Sequence, residues 1–333
     1  MPPDVDAFMA TMVMHSHPLS LEGAMGLVRE YYGLDAHAVR LTGERDENFR
    51  VRADDGSEYV LKLAHPAEDP AVSDLATAAL LHLESHDPAL PCPRVVRERS
   101  GRTQVRFRDE RGVERTARLL SFLPGQPLLS VAASRDLRAA CGRLGGRLTR
   151  ALRTFAHPAA HLVRLLGEVP GFPHRQDAGS VLERIVPRID SQFPILRQQV
   201  VHNDLNPRNV LVTPAGEVSG VIDFGDLTYT AIIADVAVTA AELIPEQCTA
   251  GGGAAATSVR EVANAYHESV PLLPEERAML GTLVAARLVA NLVVHEWHLH
   301  RNPAGEHYRP LAADFIRERL QIAAELSLGA SSL

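Results

Sequence analysis

Apolar residues recur at helical spacing over residues 20–33. Ser20 stands as an N-cap, Leu21, Ala24, Val28 and Tyr31 follow, and Gly33 closes the segment. Strand-like material comes next, at 37–41 and 49–52, with a loop between them at 42–48. Asp55-Gly56 is a hairpin turn signal, and YVLKL at 59–63 is the clearest strand. Residues 71–86 read as an amphipathic helix with Leu75, Ala79, Leu80 and Leu83 on one side, ended by Pro88, Pro91 and Pro93. Strands resume at 94–97, 104–108 and 114–122, until Pro124-Gly125 breaks the pattern. Helical spacing then dominates, at 135–155, 179–189, 232–243, 257–269, 275–300 and 312–326. Two short strands interrupt it, 210–212 and 218–222, joined by a turn at 213–216. The Gly- and Ala-rich stretch 251–256 reads as an interhelix loop.

Strands first and helices later predict an α+β chain. The division falls near Pro124-Gly125, giving a sheet-bearing lobe with a leading helix over 1–123 and a larger, mainly helical lobe over 124–333.

Composition narrows the field. The 333 residues exceed the usual single-domain size, and 46% apolar with 23% charged content is ordinary for a folded chain with a real core. A formal net charge of −7 with mixed signs and no basic run argues against a nucleic-acid partner. Cys92, Cys141 and Cys248 stand singly, without metal or disulfide spacing. The leader lacks the basic start and apolar run of a signal peptide, and no stretch reads as apolar enough to span a bilayer. A cytoplasmic protein without a membrane partner is the expectation.

Candidate chemistry concentrates in VVHNDLNPRNVLV and the following VSGVIDFGD. Phosphoryl transfer from a nucleotide needs a carboxylate to take the acceptor hydroxyl's proton. It also needs oxygen ligands for Mg2+ and a Lys for the phosphates. Asp204, Asn209, Asp223 and Lys62 supply that set. Asn209 starts the strand 210–212, and the turn at 213–216 folds the next strand back. Asp223, at that strand's far end, is thereby expected near Asn209. Any one of these acids and amides alone would read as a turn or cap residue.

HNDLNPRN with IDFGD resembles the aminoglycoside phosphotransferase and choline kinase superfamily, small-molecule relatives of protein kinases. GERDENF, YVLKL, LLSFLPGQP and SGVIDFGDLTY resemble its hydroxylysine kinase branch in particular. The resemblance implies a protein-kinase-like bilobal fold that binds nucleotide between the lobes. It implies Asp204 as the catalytic base, Asn209 and Asp223 as Mg2+ ligands, and Lys62 on the α- and β-phosphates. Gly43 to Asn48 would cover the phosphates, backbone groups of Ser121 and Leu123 would pair with the purine of ATP or GTP, and His202 and Asp235 would brace the catalytic loop. The implied acceptor is a hydroxyl on a small amine-bearing metabolite, with a hydroxy-amino acid such as 5-hydroxylysine favoured. Aminoglycoside-type, homoserine-type or choline-type acceptors are the alternatives, and a nucleotide-binding pseudokinase the most distant one.

Two positions depart from the kinase pattern. The helix Glu that pairs with the strand Lys is replaced by Ala76, with Asp74 the nearest substitute. Asn206 stands where protein kinases carry a Lys, which suits a small acceptor. For an amino-acid acceptor, Arg287 would meet the carboxylate and Asp226, Glu242 or Glu296 the ammonium. A structural role for Arg287 is the competing reading. Gly142, Gly145 and Gly146 lie in a helical pattern and read as close helix packing. His295, Glu296, His298 and His300 lack HExxH spacing and read as a helix surface.

Overall fold

The computed structural model describes residues 18–43, 46–161, 178–245, 252–301 and 311–328. The chain divides into two compact units, Met1–Pro124 with His157–Leu162, and Gly125–Ala156 with Val163–Leu333.

In the first unit, helix α1 (Leu21–Leu27) starts where the Ser20 hydroxyl accepts from the Gly23 N–H. It passes into a π-helical turn, Val28–Tyr32, and ends at Gly33 in the left-handed region, φ 71°. An antiparallel sheet follows. Its strands are β1 (Ala36–Leu41), β2 (Glu47–Ala53), β3 (Glu58–Leu63), β4 (Val95–Val96), β5 (Val105–Arg108) and β6 (Glu114–Ser121), in the order β1-β2-β3-β6-β4 with β5 also on β6. Helix α2 (Pro70–His86) is inserted between β3 and β4, its N-terminus capped by Asp69.

Alternation along the strands decides which residues face the core. Phe49, Val51, Leu61, Leu63, Ala117 and Leu119 point to one side and pack with Ala24, Leu27 and Val28. Asn48, Lys62 and Arg118 are register partners across β2, β3 and β6, so they form a row on the opposite face.

The second unit holds β7 (Gln126–Pro127), α3 (Arg135–Ala151), α4 (Gly179–Gln192), β8 (Gln198–Val201), β9 (Val210–Val212), β10 (Val218–Val221), β11 (Thr228–Ala231), α5 (Ile232–Glu242), α6 (Gly252–His267), α7 (Pro274–Arg301) and α8 (Ala313–Leu328). Small ladders β10-β9-β7 and β11-β8 carry its loops. Helix α3 packs on α6 through glycine: a Cβ at Gly142 would lie 2.3 Å from the Val262 carbonyl oxygen, and one at Gly146 2.8 Å from that of Tyr266. Gly142 and Gly146 thus serve the expected close packing, whereas a Cβ at Gly145 would make only ordinary contacts, 3.4 Å from Leu205 and 3.6 Å from Tyr266.

Several expectations need correction. Strands β7, β8 and β11 were not expected, and α6 starts at Gly252 inside the stretch read as a loop. Ala255, at 0% exposure, packs into the core, and alanine's helix propensity outweighs the neighbouring glycines. A window of α7 within Pro274–Glu296 has mean hydropathy 1.6 and does satisfy the length and composition of a membrane span. Its burial gives the physical reason. Leu280, Leu283, Val284, Leu288 and Val289 are all buried, so α7 is the apolar centre of the second unit. Cys92 and Cys141 are buried and free, while Cys248 lies outside the described residues. The side chains of His298 and His300 are also outside them.

Candidate active site

The loop between β8 and β9 is built around buried polar groups. His202 is fully buried and meets the Phe224 ring edge-on at 4.8 Å. Burial pushes its pKa down, which favours the neutral imidazole. Its Nδ1 accepts from the Asp204 N–H at 3.3 Å. Asn203 adopts φ 64°, and its N–H donates to Oδ1 of Asp235 at 2.7 Å. Asp235 comes from the first turn of α5, and burial pushes its carboxyl up to about 6 against that backbone hydrogen bond. The start of the loop is thus tied to groups that cannot leave without stranding a buried polar atom.

This bracing sets Asp204. Its Oδ1 accepts from Asn206 Nδ2 at 2.9 Å and from Arg287 Nη2 at 3.2 Å. Its Oδ2 accepts from Asn209 Nδ2 at 2.7 Å, and that same nitrogen reaches the Asp204 carbonyl at 2.9 Å. Burial, with the negative charge of Asp226 next, raises the Asp204 carboxyl to about 7, while Arg287 and Asn206 pull it down. A carboxylate with that balance can exchange a proton near neutrality.

Asn209 and Asp223 are brought together as the strand geometry requires. Val210 pairs with Val221, and the Ile222 N–H donates to the Asn209 carbonyl at 2.8 Å. Asp223 itself has φ 62°, and its Oδ1 accepts from the Gly225 N–H at 3.3 Å. Among the described residues, no group of three or more His, Cys, Asp or Glu side chains could hold a metal ion. A protein-only cage is therefore absent there. With the Asn209 amide nitrogen turned onto Asp204, its oxygen is the remaining donor, and the backbone bond from Ile222 to Asn209 puts Asp223 one residue away along the paired strand. One amide oxygen and one carboxylate suit Mg2+, which takes its other ligands from phosphate and water.

Beyond Asp204 lies a second charged group. Arg287, on α7, donates through Nε to Oε1 of Glu242 at 3.1 Å, and Asn291, one turn further on, donates to the same oxygen at 2.8 Å. Oε2 of Glu242 has no hydrogen-bond partner among the described residues. Desolvation works against the Arg287 charge, but Glu242 and Asp204 hold its pKa above the usual value. Of the candidate acceptor residues, Glu242 and Arg287 meet beside Asp204, and Asp226 is near enough to act on the Asp204 charge.

In the first unit, Lys62 is nearly buried, its side chain 10% exposed, and pairs with Asp46 at 3.5 Å. Arg118 reaches the same Asp46 oxygen at 3.6 Å. The expected substitute, Asp74, does not serve Lys62: it is 66% exposed and pairs with His157 at 3.2 Å. Its position on the outer side of α2 points it to solvent, while Ala76 is buried. Gly43 is required by its loop, since a Cβ there would stand 2.3 Å from the Asp46 carbonyl oxygen. Asn48 Nδ2 donates to that carbonyl at 3.3 Å. Residues 44 and 45 of this loop lie outside the described residues. Ser121 ends β6, with its N–H on the Arg94 carbonyl and its hydroxyl accepting from the Arg94 N–H, both at 2.8 Å, and Leu123 follows after the strand.

Asp46 and Arg118 were not singled out from the sequence. The one available signal was an Arg in the apolar strand sequence TARLL, directly opposite Lys62 in register.

The chain is 27% identical over 319 residues to hydroxylysine kinase of Danio rerio, covering 87% of each chain. It is 26% identical over 338 residues to that of Mus musculus, covering 90% of this chain and 87% of the relative. Among solved structures it is similar to an amicoumacin kinase, with a TM-score of 0.66 at 16% identity over 98% of this chain and 93% of the other. It is also similar to a microcompartment-associated aminopropanol kinase, with a TM-score of 0.61 at 18% identity, covering 91% and 94%. These likenesses show a kinase-like α+β fold. The model of the phosphotransferase enzyme family matches residues 37–267, a span that takes in both Lys62 and the loop of Asp204. The chain therefore belongs to the phosphotransferase enzyme family and is a small-molecule kinase.

Proposed function

We propose that this kinase transfers the γ-phosphoryl group of ATP or GTP to the hydroxyl of a small amino acid of the hydroxylysine type. The observation that carries the acceptor class is the Glu242–Arg287 pair beside Asp204. An amino-acid head group bears one positive and one negative charge, and the site offers one of each. Oε2 of Glu242 is available for an ammonium, and the remaining nitrogen of Arg287, Nη1, for a carboxylate. A guanidinium next to the base disfavours a polycationic acceptor such as an aminoglycoside. The names of the relatives, hydroxylysine kinase and aminopropanol kinase, support an amine-bearing alcohol.

In this reading Asp204 orients the acceptor hydroxyl and takes its proton. The hydroxyl oxygen forms a bond to the γ-phosphorus as the bond to the β–γ bridging oxygen breaks, and nucleoside diphosphate leaves. Asn206 and Arg287 hold Oδ1 of Asp204 in place while the proton moves. Asn209 and Asp223 would hold Mg2+, which when bound neutralises charge on the transferring phosphates. Lys62 would contact the phosphates. A purine would meet the Ser121 carbonyl and the Leu123 backbone, since the Ser121 N–H is already engaged by Arg94.

The test is nucleoside-diphosphate release with ATP and with GTP across hydroxylated amino acids, amino alcohols and aminoglycosides. Turnover confined to acceptors with both an amine and a carboxylate is expected. Turnover confined to aminoglycosides would overturn the proposal.

A further inference from the structure

Lys62 poses a problem that the helix does not solve. Its ammonium is nearly buried, and a buried charge without a partner is costly. Helix α2 offers no carboxylate: Ala76 occupies the inner position, and Asp74 is exposed and paired with His157. The acid comes instead from the β1–β2 loop. Asp46 lies 3.5 Å from Lys62 Nζ and 3.6 Å from Arg118 Nη2, both to Oδ2. Arg118 is itself fixed, because Nη1 donates to the Ser73 carbonyl at 3.0 Å at the start of α2. Lys62 and Arg118 stand directly opposite each other on β3 and β6, and Asn48 completes the row on β2. Asn48 in turn holds the Asp46 carbonyl, against which Gly43 packs.

We propose that Asp46 is the positioning residue for Lys62, replacing the missing helix carboxylate, and that Arg118 anchors it to α2. The proposal rests on the reading of Lys62 as a phosphate-binding group. Lys62 and Arg118 flank Asp46 from two neighbouring strands. Because Asp46 belongs to the same loop as Gly43, the placement of Lys62 depends on how that loop is folded. In a kinase with a helix carboxylate it would depend on the helix instead.

Equilibrium binding separates this from a purely structural role. The probes are the Mg2+ complex of whichever of ATP and GTP supports turnover, and its bare nucleoside. Asp46→Asn is expected to weaken triphosphate binding about tenfold, leave nucleoside binding unchanged, and have no further effect in a Lys62→Met background. Asp46→Glu, which keeps the charge, is expected to bind triphosphate more tightly than Asp46→Asn. Tighter triphosphate binding by Asp46→Asn would show that Asp46 merely competes with phosphate, and would overturn the proposal. An equal loss for triphosphate and nucleoside, or a loss that persists in Lys62→Met, would overturn it as well. If Lys62→Met alone leaves triphosphate binding intact, the reading of Lys62 fails first, and that result is distinct from a silent Asp46→Asn.

Discussion

Arg287 joins Asp204 to Glu242: one guanidinium donates to Oδ1 of Asp204 at 3.2 Å and to Oε1 of Glu242 at 3.1 Å. The two acids come from different elements, the β8–β9 loop and the end of α5, and α7 supplies the link. In the proposed function, recognition of the acceptor and placement of the base share this one side chain.

Replacing Arg287 by Lys should be harmful, since a single ammonium cannot reproduce a planar fork that serves two carboxylates. We expect kcat/KM for the acceptor to fall at least about tenfold. Arg287→Ala should do worse and also lower stability, because it leaves two neighbouring acids without their common cation. Steady-state kinetics with varied acceptor, together with thermal denaturation, checks both.

The pH dependence has a definite sign. Asp204 accepts a proton only as the carboxylate, and burial raises its carboxyl to about 7. Activity should therefore fall as pH drops through and below that region, with a slope of one proton. In Arg287→Ala the positive charge that lowers this pKa is gone, so the acid limb should move to higher pH. Profiles of kcat/KM for both proteins give the answer, and an unmoved limb in the variant would contradict it.

Glu242→Gln keeps the shape and removes the charge. Acceptors with an amine should lose about 10- to 100-fold in kcat/KM, the range of one hydrogen bond to a charged group. Acceptors of the same skeleton lacking the amine should be nearly unaffected. The comparison of paired acceptors is the measurement, and an equal loss for both would remove Glu242 from recognition.

Gly142→Ala tests the packing of α3 on α6. Its methyl would meet the Val262 carbonyl oxygen at 2.3 Å, so backbone must move. Overpacking of this kind costs about 1–3 kcal/mol. Chemical denaturation of the variant should show that loss, and a silent substitution would mean that the helices part more easily than their contact implies.

Much of the site was legible from spacing. Asn209 and Asp223 follow from one hairpin, because β9 and β10 bring their ends together, and Asp204 lies on the loop that leads into β9. On α7, Arg287 and Asn291 stood out as polar residues in an apolar run, and Glu242 was named as one candidate acid for the same acceptor, but not as their hydrogen-bond partner. Glu242 ends a different helix, and nothing in sequence distance links it to Arg287. The partner of Lys62 was missed for a similar reason. Its acid was sought on the helix that follows it, whereas strand pairing lays β2 beside β3 and brings the loop of Asp46 back onto Lys62. Strands β7, β8 and β11 are two to four residues long, and Gln198, Gln199, Thr228 and Thr230 give them little apolar alternation.

The role of Asp204 is tested most directly by Asp204→Asn, which keeps the shape of the side chain and removes its capacity to take a proton. Turnover should fall about 10²- to 10⁴-fold, the range for loss of a general base, while binding of the Mg2+–nucleotide, measured by calorimetry, stays close to that of the parent protein. A variant that retained near-normal kcat would contradict the assignment of Asp204 as the base.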